Sequence, residues 1–353
     1  MQRRIMIYAA VLLIGSVALI RLSPLLGSAA PERFSSSAEE PAFFLSHGFG
    51  DAEPTEPVPT ETLPAVQVQA AADPGPKPYP EVWDLSGGAV ERMSYGHYSG
   101  EKFFDLDTAG QVQNLTSVTN EVLQAESRRL PEFRILGDGT PEVLIMHTHT
   151  TESFEPYERD AYDASFNYRT TDPTRNMVMV GEHIAAGLEA AGIGVIHSDV
   201  IHDYPSYTGS YARSAETVKG ILAQYPTIKV VLDIHRDAIG GNGIIKQPTV
   251  TIDGRKSAQV MIISGCDDGT MGMPDYMQNF RFASLLQQQM ETDWPGLTRP
   301  VLFDYRKYNQ DLTTGSLLIE VGTHGNTIEQ AGYAGDLIGQ SLARALCSLE
   351  EET

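Results

Sequence analysis

The run Ile228-Lys-Val-Val-Leu-Asp-Ile234 constrains the fold most, because a nearly continuous apolar strand has no face to offer to water. Strands of that kind lie in the middle of mostly parallel sheets, covered on both sides by helices. Two more short apolar runs fit the same place: Val143 to Met146, which follows the Gly137-Asp-Gly-Thr-Pro141 turn, and Leu317 to Val321. Ile193 to Ile196 and Val301 to Tyr308 add further strands, and helical spacing runs over Asn176 to Ala191, up to about Tyr225, Met277 to Met290 and Thr327 to about Leu349. A short helix is expected over Ser117 to Leu123. Strand and helix alternate, so the expected class is α/β: a mostly parallel open sheet with helices on both faces and right-handed crossovers. One exception interrupts the alternation. Ile244 to Ile252 and Ser257 to Ile263 meet at Asp253-Gly254, a strong hairpin signal.

The formal charge of -21 excludes nucleic acid as a partner, since phosphate binding needs clustered Lys and Arg. Two cysteines, Cys266 and Cys347, make neither a disulfide scaffold nor a cysteine-rich metal module. Arg3 and Arg4 precede the apolar stretch Ile5 to Ile20, which reads as a transmembrane anchor over residues 1–25 with its N-terminus inside. The competing reading is a cleaved signal peptide ending near Ser28-Ala29-Ala30. Either way the rest of the chain is expected outside the cytoplasm, at the cell membrane. Residues 31–79, rich in Pro and Glu, read as an extended disordered linker reaching about 3 Å per residue. Residues 80–138 read as an N-terminal extension of a catalytic domain that occupies 139–353.

Chemistry enters at the strand ends. The first apolar run leads to His147 and His149, the second to His235, the third to Glu320, and parallel strands bring such ends to one edge. His149, Glu152 and His235 are the candidate ligands of a Zn2+ ion, with water as the fourth. Glu320 is the candidate catalytic base, passing a proton from water to a leaving nitrogen. Arg236 and His324 are candidates for stabilising an oxyanion. Asp172 rivals Glu152 as the oxygen ligand, and His147 rivals His149. The loop His202-Asp-Tyr-Pro-Ser-Tyr-Thr-Gly-Ser-Tyr-Ala-Arg-Ser214 carries tyrosines that either stack on sugars or pack on the domain.

The runs Ile145-Met-His-Thr-His-Thr-Thr-Glu-Ser-Phe154, Val200 to Ser214, Val231-Leu-Asp-Ile-His-Arg-Asp-Ala238 and Leu318-Ile-Glu-Val-Gly-Thr-His-Gly-Asn326 closely resemble the stage II sporulation protein P family. That family is similar in fold and site to zinc-dependent N-acetylmuramoyl-L-alanine amidases, which are phosphorylase/hydrolase-like. The resemblance implies that His149, His235 and Glu320 stand at the family's functional positions. It implies cleavage of the amide between muramic acid's lactyl group and L-alanine in peptidoglycan, with cutting of peptide cross-links as a further activity. It also implies work during engulfment in sporulation, beside a glycan-cleaving partner and a membrane scaffold. Wall amidases usually place Asp-x-Gly-His in the first motif and take their acidic ligand from further downstream, nearer to Asp172, so both carboxylates stay open here. Two alternative functions are compatible with the same residues. A zinc carboxypeptidase would release free terminal amino acids, and a non-catalytic wall-binding scaffold would tolerate loss of Glu320.

Overall fold

The computed structural model describes residues 76–350. The expected membrane anchor (1–25) and most of the expected linker lie outside the described residues. Among the described residues no helix is long and apolar enough to cross a membrane. Residues 76–79, the end of the expected linker, lie against the domain: Lys77 N–H donates to Thr171 Oγ1 (3.0 Å) and the buried Tyr79 hydroxyl donates to the Phe154 carbonyl (2.9 Å).

The strands are β1 (Ala89–Met93), β2 (Phe103–Asp105), β3 (Gln111–Asn114), β4 (Pro141–Met146), β5 (Gly194–His197), β6 (Val230–Asp237), β7 (Gly240–Gly241), β8 (Ile244–Ile252), β9 (Arg255–Ala258), β10 (Val260–Gly265), β11 (Val301–Asp304) and β12 (Gly315–Thr323). The helices are α1 (Asn120–Ser127), α2 (Met177–Ala190), α3 (Ser210–Gln224), α4 (Tyr276–Asp293) and α5 (Ile328–Cys347). Eight strands form the main sheet in the order β2-β3-β11-β10-β12-β6-β4-β5. Most neighbours run parallel; β2–β3 and β10–β12 are the antiparallel pairs.

The α/β expectation holds, with helices on both faces, because the strands alternate their apolar residues between two cores. Val143, Ile145, Leu232 and Ile234 join one core with Val180 and Ile184 of α2, Phe280 of α4 and Leu342 of α5. Leu144, Met146 and Val231 join the other with Val218 of α3. Side-chain caps fix where the helices begin. Thr119 receives Val122 N–H, which sets the start of α1 later than the sequence pattern suggests, and Asn176 receives Val178 N–H at α2. Thr327 and Gln330 form a capping box at α5.

The hairpin at Asp253-Gly254 is present, with positive φ at both residues (49° and 78°), as a tight turn with right-handed twist requires. Its second strand is shorter than the sequence pattern indicates. Buried Gln259 leaves the ladder, accepting from Tyr95 N–H (2.6 Å) and donating to the Tyr95 and Gly296 carbonyls (both 2.9 Å). The chain therefore splits into β9, which pairs with β8 in a small second sheet containing β1 and β7, and β10, which joins the main sheet.

Helices α2 and α5 cross where Gly187 meets Gly339, and a Cβ on Gly187 would lie 2.7 Å from the Gly339 carbonyl carbon. Backbone cannot step aside as a side chain can. Overpacking of this kind costs about 1–3 kcal/mol, against a helix-propensity gain of about 1 kcal/mol for Ala over Gly. Gly187→Ala is therefore expected to lower the urea midpoint. An unchanged or raised midpoint would show that the crossing yields.

Candidate active site

β4, β6 and β12 run parallel, and their carboxyl ends share one rim of the sheet. Glu320 is the direct register neighbour of His235 across β12 and β6, and Met146 is that of Asp233 across β4 and β6. The rim therefore receives a glutamate, an imidazole and the loop that comes after β4.

That loop, residues 147–155, is buried throughout, so its polar groups need partners within the protein. Thr148 donates from N–H to Asp233 Oδ1 (2.8 Å) and from its hydroxyl to Asp233 Oδ2 (2.7 Å). Thr151 donates likewise to Asp203 Oδ1 (3.1 Å) and Oδ2 (2.6 Å). The Thr150 hydroxyl lies within bonding distance of the His147 and Val200 carbonyls, and Glu152 N–H closes a turn onto the His149 carbonyl (3.0 Å). The threonines between the two histidines and the glutamate thus hold an irregular segment still.

His149 stacks on Tyr207 with centroids 4.5 Å apart, and the Tyr207 hydroxyl sits 3.0 Å from its Nε2. Ser210 Oγ is 3.4 Å from its Nδ1. The His149 and His235 rings meet edge to face with centroids 5.2 Å apart. Glu152 lies beside them: its Oε2 is 3.8 Å from His235 Nδ1 and accepts the Arg236 N–H (3.1 Å), while its Oε1 faces Arg169 Nη2 (3.3 Å). Glu320, the register neighbour of His235, is buried, and its Oε2 has no hydrogen-bond partner.

Both rival ligands are engaged with other partners. Asp172 accepts from Thr174 N–H and hydroxyl (3.0 and 2.7 Å), pairs with Arg175, and lines a separate hollow with Lys77, Tyr79 and Trp83. His147 lies 3.0 Å from the Ile234 carbonyl through Nδ1 and 2.9 Å from His197 Nε2 through its own Nε2. Since a carbonyl only accepts, His147 donates from Nδ1 and receives from His197. Arg236 lines a cleft of about 650 Å³ together with Glu152, Arg169, Tyr207 and His324. Its side-chain donors reach the Ser153, Tyr168 and Asp237 carbonyls (2.9, 3.0 and 3.3 Å), so it braces the loops around Glu152. His324 packs edge-on against Tyr168 in the same cleft.

Electrostatics set the cluster apart. Burial holds the His149 imidazole down at about 2, helped by the nearby His235 and Arg169, so the ring is neutral. Burial also works against charge on His235, yet the carboxylates of Asp233, Glu152 and Glu320 outweigh it and raise the ring to about 9. Glu320 is pushed up by burial first and by the Asp237 carboxylate next. Three buried carboxylates around one imidazole make a place that demands positive charge. Among the described residues no three His, Cys, Asp or Glu side chains already stand in metal-holding geometry. The donor set nonetheless suits zinc, with two imidazoles and one carboxylate, and Glu320 Oε2 is buried beside it without a hydrogen-bond partner. His149 would exchange its contact with Tyr207 or Ser210 for the ion.

Sequence reasoning missed Asp233, Asp203 and Arg169. Asp233 had a visible signal, being the one charged residue inside the apolar run of β6. Arg169 had none, since its ion pairs to Asp203 (2.5 Å) and Glu152 cross between distant loops.

Fold and site define an α/β protein with a buried cluster of imidazoles and carboxylates at the carboxyl rim of a mostly parallel sheet. The family model for Stage II sporulation protein P (SpoIIP) matches residues 96–343, and the chain belongs to that family. The Stage II sporulation protein P of Bacillus subtilis (strain 168) is 31% identical over 235 residues, which is 63% of this chain and 55% of that protein. The chain thus spans about half the length of that relative. Among solved structures, N-acetylmuramoyl-L-alanine amidase AmiC2 of Nostoc punctiforme superposes at TM-score 0.34 and 12% identity, covering 59% of this chain and 96% of that one. The CwlD amidase from Clostridioides difficile in complex with the GerS lipoprotein does so at 0.37 and 11%, covering 59% and 99%. A metallo-carboxypeptidase from Burkholderia cenocepacia does so at 0.33 and 8%, covering 59% and 57%. Likeness this slight says nothing about which bond the chain would cut.

Proposed function

We propose that this chain is a membrane-anchored, zinc-dependent peptidoglycan hydrolase of sporulation that cleaves the amide between N-acetylmuramic acid and L-alanine. Peptide cross-links are a second bond of the same chemistry. The observation that carries this reading is the convergence of His149, Glu152, His235 and Glu320 at one rim, with the two imidazole centroids 5.2 Å apart. The family to which the chain belongs is named for stage II of sporulation, which supports placing the activity in that process. The anchor over residues 1–25 would hold the domain on the extracytoplasmic side, beside a glycan-cleaving partner and a membrane scaffold.

His149, Glu152 and His235 would hold the zinc. Bound zinc supplies a Lewis acid that polarises the scissile carbonyl and makes water acidic near neutral pH. Glu320, whose Oε2 is buried without a hydrogen-bond partner, would take the proton of the attacking water and deliver it to the departing nitrogen. The guanidinium of Arg236, 3.9 Å from Glu152 Oε1, helps to aim that carboxylate at the cluster. Tyr207 and the cleft beside Glu152 offer the face on which a substrate would lie.

Digestion of purified cell wall by the chain with zinc present is the test. Stem peptides freed from intact glycan, each with a new L-alanine amino terminus, are expected. Release of none would overturn the proposal, and release of single terminal amino acids would favour the carboxypeptidase reading.

A further inference from the structure

We infer that Asp233 is a positioning residue that sets both imidazoles of the cluster at once, an inference that rests on the zinc site proposed above. Asp233 and His235 are two apart on β6 and so project from the same face of the strand. Asp233 Oδ1 lies 2.8 Å from His235 Nε2, though too obliquely for a full hydrogen bond, and the same oxygen accepts Thr148 N–H at 2.8 Å. Its Oδ2 accepts the Thr148 hydroxyl at 2.7 Å. Thr148 immediately precedes His149 in the chain. One buried carboxylate therefore touches the ring of one candidate ligand and fixes the main chain that carries the other.

The arrangement also selects an atom. With Nε2 turned to Asp233, His235 presents Nδ1 toward Glu152 Oε2, 3.8 Å away. A carboxylate on the far nitrogen keeps a ligating histidine in one tautomer and one orientation, and its loss typically weakens metal binding about 10–100-fold. The bland alternative is that Asp233 only ties the loop to the sheet through Thr148, whose hydroxyl also meets Ser214 Oγ (2.8 Å).

Zinc titration of the full chain, stripped with chelator and monitored with a chromophoric competitor, separates these cases. Asp233→Asn is expected to lower zinc affinity about 10–100-fold and to change the visible spectrum of the cobalt-loaded chain. Thr148→Val removes the hydroxyl bond but leaves the main-chain bond to Oδ1 and the contact of Asp233 with His235, and a smaller loss of affinity than in Asp233→Asn is expected. Asp233→Glu, which keeps the charge and displaces the oxygens, gives a second measurement should Asp233→Asn fail to fold, with an intermediate loss expected. Unchanged zinc affinity in the Asp233 variants, or an equal loss in Thr148→Val, would overturn the inference while leaving the zinc site standing. An unsubstituted chain that takes up no zinc would overturn both.

Discussion

Replacing Glu320 by Gln should leave zinc bound and lower the release of stem peptides by about 10²–10⁴-fold, the usual contribution of a positioned general base. The residue has no evident structural duty to confuse the result. Its Oε2 lacks a partner although it is buried, an arrangement that ordinarily costs stability and is kept where a group has work to do. Burial and the neighbouring carboxylates of Asp237 and Glu152 push its pKa up, which brings a carboxylate toward the range where it exchanges protons near neutral pH. Gln has the same shape and cannot take a proton. Turnover measured beside zinc content and a far-ultraviolet spectrum separates loss of the base from loss of the fold. A Gln variant with nearly full turnover would remove Glu320 from the chemistry and favour a wall-binding role.

Glu152→Ala should shed zinc, and Asp172→Ala should keep it. Structural zinc sites bind with about 10–16 kcal/mol over four ligands, so loss of one ligand is expected to weaken binding on the order of 10²-fold. Glu152 is the candidate that lies beside the imidazoles: its Oε2 faces His235 Nδ1 and accepts the Arg236 N–H, while its Oε1 meets Arg169. Asp172 is occupied with Thr174 and Arg175 in another hollow. Metal analysis after gel filtration of both variants reads the difference directly. Zinc lost from the Asp172 variant alone would reverse the assignment.

Much of this was legible in the chain because the sheet announces itself. Val143 to Met146, the run ending at Ile234 and Leu317 to Val321 have no polar face, so they must lie side by side in the middle of a covered sheet, and their carboxyl ends must meet. That logic places His149, His235 and Glu320 together without any coordinates. It stops at loops. Glu152 and Asp172 both come after β4 at plausible distances, and only the packing of residues 168–176 against 151–153 decides which of them faces the imidazoles. His147 and His149 are likewise two apart, and the hydrogen bond from His147 to the Ile234 carbonyl, within the sheet, separates their roles. The splitting of β9 from β10 depends on one buried amide, Gln259, whose partners at Tyr95 and Gly296 are far away in sequence. Neither cysteine pairs: Cys266 is buried, Cys347 exposed, and both are free thiols.

Zinc-edge X-ray absorption on the full chain, stripped of metal and reloaded with one equivalent, examines the convergence most directly. Two imidazoles and a carboxylate around the ion are expected, with one imidazole lost in His149→Ala and one in His235→Ala. An ion surrounded by water and carboxylates alone, or a chain that binds none, would contradict the gathering of these strand ends into a single site.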